Sequence, residues 1–125
     1  MAKFNLNLIN TFVSIIVCIL FTINTSGQNN NEKAIILFES KNYSEALPFF
    51  KEAYDLLPEN KNLSYFLGVC LVETQKYSTE VTRLLMNASK GDVPLNVNFY
   101  LAKNYHALNK FELASAYYQM FRNNG

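Results

Sequence analysis

The sequence predicts an all-α chain: three copies of one helix–turn–helix unit behind an N-terminal leader. Three observations carry that expectation. The 125 residues include only 4 Gly and 3 Pro, too few breakers for many short strands. Apolar residues recur at helical spacing, with Leu63, Phe66, Leu67, Cys70 and Leu71 on one stripe and Leu47, Phe50, Tyr54 and Leu57 on another. An aromatic residue returns every 34 positions, at Tyr43, Tyr77 and Phe111. Each time it follows a short polar turn (Lys41-Asn42, Gln75-Lys76, Asn109-Lys110) and precedes a helical pattern.

The leader comes first. Residues 8–23 carry no charge, Lys3 precedes them, and no acid lies before Glu32. A positive start, an apolar stretch from Phe12 to Ile23 and the small residues Thr25-Ser26-Gly27 form the pattern of a signal peptide over residues 1–27, with Gln28 as the mature N-terminus. The alternative is an uncleaved anchor made by residues 8–23, which falls short of the roughly 20 residues that cross a bilayer comfortably. Cleavage also removes Cys18 and leaves Cys70 as the single cysteine, so no internal disulfide can form and helix packing must hold the domain together.

The remainder, 28–125, divides into units of about 28–60, 61–94 and 95–125. The spacing predicts helices over 31–40, 44–57, 63–74, 78–90, 95–108 and 111–122. Ala46, Glu80 and Ala114 fall three residues after the repeating aromatic; Phe50, Leu84 and Tyr118 fall seven after it. Small residues at Ala46, Gly68, Ala102 and Ala114 let paired helices approach closely. Ser44 and Ser78 stand where N-caps are needed. Pro48 lies just past a first turn and need not break its helix, whereas Pro58 and Pro94 are expected to end second helices.

These units resemble the tetratricopeptide repeat. Its large–Leu–Gly/Ala–Tyr first helix is matched by Leu67, Gly68 and Leu71 and by Leu101, Ala102 and Tyr105. Its Ala–aromatic–Ala–Pro second helix is matched by Ala46, Phe50, Ala53 and Pro58. The run Tyr100 to Leu108 followed by Lys110-Phe111 is similar to the N-terminal repeat segment of Bacteroidota-type envelope proteins of the outer-membrane-protein-A type. The resemblance implies an α-solenoid whose first helices line a concave groove for a protein or peptide. Carried onto this chain, the groove residues are Phe38, Asn62, Tyr65, Val69, Glu73, Phe99, Lys103 and His106. The Lys/Asn/Arg cluster with which some relatives grip a C-terminal carboxylate is missing, since Ile35 and Tyr100 stand at two of its places.

Other functions are disfavoured. A net charge of +1 offers no basic face for nucleic acid. One His and two Cys lie too far apart for a metal site, and no nucleophile–base pair or phosphate loop is legible, so neither an enzyme nor a cofactor is expected. The expected role is an exported interaction module or scaffold in a Gram-negative periplasm or envelope. Alternatives are the N-terminal part of a larger envelope or secretion-complex protein, or a self-associating structural oligomer. Self-association is expected through the last helix. Leu113, Ala116, Tyr117, Tyr118, Met120 and Phe121 crowd it, and one face cannot hide them all. If the leader is a signal peptide, N-terminal sequencing of the exported protein finds a start at or near Gln28; an intact Met1 end in the membrane fraction means an anchor instead.

Overall fold

The computed structural model describes residues 29–124, so the expected leader and its cleavage site lie outside the described residues. Among the described residues six helices and no strands occur. They are α1 (29–39), α2 (Tyr43–Leu56), α3 (Lys61–Glu73), α4 (Thr79–Ala88), α5 (Val97–Ala107) and α6 (Phe111–Asn124). Neighbours in sequence are neighbours in space from α2 to α6, and α3 also touches α5 directly. In α1, Phe38 reaches both α2 and α3, edge-on to Phe50 at 5.9 Å and to Phe66 at 4.9 Å.

The polar turns after α1, α3 and α5 are copies of one device. Lys41, Gln75 and Asn109, spaced 34 residues apart, each have φ of 60°. The Lys41 N–H donates to the Phe38 carbonyl at 2.9 Å and the Asn42 N–H to the Leu37 carbonyl at 2.8 Å. The same two bonds join Gln75 to Val72 and Lys76 to Leu71, then Asn109 to His106 and Lys110 to Tyr105. This pairing satisfies carbonyls that a helix end leaves orphaned, and the left-handed residue reverses the chain within three positions. Glycine is the usual occupant. Lys and Gln bear a steric cost of about 1–2 kcal/mol there, which Asn tolerates better.

Where each pair crosses, a small residue recurs at Ala34, Gly68 and Ala102, again at intervals of 34. Ala34 is 1% exposed and Ala102 fully buried. A Cβ at Gly68 would stand 2.6 Å from Leu85 Cδ2 and 2.8 Å from its Cγ. Leu85 is itself fully buried and cannot swing aside.

That contact corrects the expected register of the second unit. Leu85 closes on Gly68 more tightly than Leu84 does, and Val81, not Glu80, is buried where Ala46 and Ala114 are buried in the other units. Glu80 is exposed and ion-paired with Arg83. The reversals keep their 34-residue interval, so the extra residue lies after Gln75, in the longer link to α4. Two further expectations change. Ser78 does cap α4, its Oγ accepting from Val81 N–H at 3.2 Å, but α2 begins one residue before Ser44 and its N-cap is Asn42, without a side-chain bond. Pro94 does not end α4, which stops at Ala88; its carbonyl accepts from Val97 N–H at 3.0 Å in the turn that opens α5. Pro48 sits inside an unbroken α2.

The last helix hides more of its aromatics than expected. Tyr117 stacks on Tyr105 at 5.4 Å, and Phe121 and Tyr118 lie 5.5 and 6.0 Å from Phe99. Phe111, Leu113 and Met120 remain exposed. Because Gly68 faces a fixed Leu85, Gly68→Leu overpacks the α3–α4 crossing and lowers stability by roughly 1–3 kcal/mol or more. Chemical denaturation checks this; an unchanged midpoint means the two helices do not cross there.

Candidate interaction surface

The first helices α1, α3 and α5 lie side by side, joined by Phe38 against Tyr65 and Phe66 and by direct contact of α3 with α5. Their shared side is the surface on which the groove residues were expected. Asn62 and His106 are exposed there, and Glu73, Phe99 and Lys103 are partly exposed. Lys103 Nζ lies 3.2 Å from Glu73 Oε1, an ion pair between α5 and α3 whose side chains keep 28% and 25% of their exposure. The same ammonium stands 5.6 Å from the Phe99 ring centre and 5.9 Å from that of Tyr100. A cation held over aromatic faces by a carboxylate is both oriented and partly desolvated.

Three expected groove residues are turned inward. Val69 is fully buried in the core of α3, α4 and α5 and presents no surface to a partner. Tyr65 is 4% exposed, and its hydroxyl donates to Asn96 Oδ1 at 2.7 Å, tying α3 to the residue before α5. Phe38 packs in an aromatic cluster with Tyr43, Phe50 and Phe66. Val69 and Tyr65 fill the seam between neighbouring pairs before they can reach solvent, and Phe38 is half-buried in it. His106 stands apart from the others, edge-on to Phe111 at 5.5 Å near the end of α5.

The hydroxyls of Tyr43, Tyr65 and Tyr100 gather behind this surface. Burial raises the pKa of all three; Glu73 raises Tyr43 and Tyr100 further, and the Asn96 bond partly offsets the rise for Tyr65. They therefore stay protonated and neutral.

Sequence reasoning passed over Asn104, the buried amide at the α4–α5 seam. Its Oδ1 accepts from Ser78 N–H at 3.2 Å, while its Nδ2 donates to the Ser78 carbonyl at 2.9 Å and to Thr82 Oγ1 at 2.8 Å. It pins the start of α4 to the following helix. One signal was present: Asn104 lies 34 residues after Cys70, at a place where an apolar stripe is otherwise kept. A second buried pair, Asn87 Nδ2 donating to Ser64 Oγ at 3.0 Å, joins α4 to α3. Every buried side-chain polar atom among the described residues has a partner.

Among the described residues no three His, Cys, Asp or Glu side chains cluster as metal ligands, and no helix is long and apolar enough to cross a membrane. Residues 37–79, from the end of α1 through α3 to the start of α4, match the family model described as tetratricopeptide repeat. The match supports a tetratricopeptide-repeat protein, a class whose units act in protein–protein interaction. No curated protein matches the chain significantly.

Cys70 is fully buried, and burial, aided by nearby Glu73, pushes its thiol up to about 12. In a Cys18→Ser chain, a disulfide reagent at pH 8 therefore leaves the folded protein unmodified and titrates one thiol after denaturation. Rapid modification under native conditions would mean that α3 opens readily.

Proposed function

We propose that this chain is an exported interaction module, a three-unit tetratricopeptide-repeat array that holds a protein or peptide along the side formed by α1, α3 and α5. The observation that carries the reading is the Glu73–Lys103 pair set over Phe99 and Tyr100, with Asn62 and His106 exposed on the same helices. Apolar faces for anchoring, beside a few fixed polar groups for register, suit an extended segment better than a small metabolite. Val69, Tyr65 and Phe38 support this surface from beneath.

Export is supported by the sequence alone: Lys3, the uncharged run 8–23 and Thr25-Ser26-Gly27. In this reading the chain works in a bacterial periplasm or envelope, as a recruiting scaffold without chemistry of its own. The reading likens it to the repeat segments of outer-membrane-protein-A-type envelope proteins, on the run Tyr100 to Leu108 followed by Lys110-Phe111.

The test uses the full chain as bait in envelope extract, followed by titration of the protein it retains. Asn62→Arg places bulky charge on an exposed position of this surface and is expected to weaken that binding by roughly tenfold or more, with the melting midpoint unchanged. Equal binding by both forms would remove this face from the interaction.

A further inference from the structure

The repeat register exposes a second surface, on the outer side of α6. Leu47, Phe50 and Tyr54 of α2 are the places on which α3 packs with Leu63, Phe66 and Cys70. With the one-residue slip of the second unit, the same places on α4 are Thr82, Leu85 and Ser89. There α5 sits, with Leu101 in the shared core and Asn104 bonded to Thr82 Oγ1 at 2.8 Å. On α6 the places are Ser115, Tyr118 and Arg122. They line an open groove of about 470 Å³ together with Phe111, Ala114 and His106. Twice within this chain the equivalent ground carries an amphipathic helix.

We infer that the α6 groove is a docking site for an acidic amphipathic helix of another protein, seated as α5 is seated on α4. Phe111 and Tyr118 supply the apolar ground. Ser115 stands where Thr82 receives the Asn104 amide, so the incoming helix carries an amide or hydroxyl at its centre. Arg122 brings a fixed positive charge to the lining and no carboxylate is among its residues, which favours an acidic occupant. A second copy of the chain fits poorly. Its α1 would have to stack in this register, and Lys33 would then take the place held by Leu101, which is 1% exposed. An unpaired ammonium buried there opposes the contact. Apart from His106, which borders both, this surface is distinct from the α1–α3–α5 side and stands whether or not that side binds a partner.

The probe is a labelled peptide with the sequence of residues 95–109, titrated with the full chain and read by fluorescence anisotropy. It is expected to bind saturably. Ser115→Arg in the protein weakens it at least fivefold, while Leu113→Arg, on the other exposed face of α6, leaves it within twofold. Lys103→Glu in the peptide tightens binding, and Arg122→Glu in the protein reverses that preference. Binding indifferent to Ser115→Arg, or a charge preference that Arg122→Glu does not reverse, overturns the proposal. So does a concentration-dependent dimer in sedimentation that Ser115→Arg abolishes, which would make a second copy the occupant.

Discussion

The close crossing of paired helices at Ala34, Gly68 and Ala102 sets the spacing on which the other contacts depend. With no room for even a methyl group beside Leu85, α3 and α4 lie near enough for Val69, Val72, Val81 and Leu85 to close over one another. A larger residue at the crossing would part the helices and open that layer. The left-handed reversals at Lys41, Gln75 and Asn109 serve the same end. They turn the chain within a few residues, so the second helix returns along the first at the distance the small residue permits.

A helix in this arrangement has two sides to hide, and its own partner covers only one. The other must be covered by the next helix, which is why α2 is completed by α3, and α4 by α5. The two seams are built differently. Leu47, Phe50 and Tyr54 meet an apolar stripe that includes Cys70, whereas at the next seam Asn104 bonds to Ser78 and Thr82. A buried amide with all its partners in place fixes register as apolar packing cannot, because sliding by one residue would orphan three polar groups at once. The third such side, on α6, is more polar still, with Ser115 and Arg122 at the stacking places. Its aromatics are divided between the seam with α5 and the open groove.

The proposed interaction surface inherits its rigidity from this packing. Lys103 and Glu73 sit on different helices, so their pairing requires α3 and α5 to hold their spacing, and Tyr65 with Asn96, 31 residues apart in sequence, ties the same two segments. A ligand that lay across these helices would meet groups already oriented, which would lower the ordering cost of binding.

The sequence by itself determined the helical class, the 34-residue interval of the turns and the small residues at the crossings. Each is local: a period, a breaker, a missing side chain. It also carried the likeness to tetratricopeptide repeats, which the match over residues 37–79 supports. Only the tertiary structure decided what depends on neighbours. The one-residue slip in α4 was hidden because Leu84 and Leu85 are equally apolar, and only their neighbours across the seams distinguish them. Asn104 read as one more polar helical residue until Ser78 and Thr82 were placed around it. Val69, Tyr65 and Phe38 read as groove residues because family position fixes which side of a helix a residue takes, whereas exposure depends on how far the adjacent pair closes over it. Tyr117 and Phe121 turned inward for the same reason: the stripe on α6 is legible along the chain, but the rings of Tyr105 and Phe99 that receive it are not.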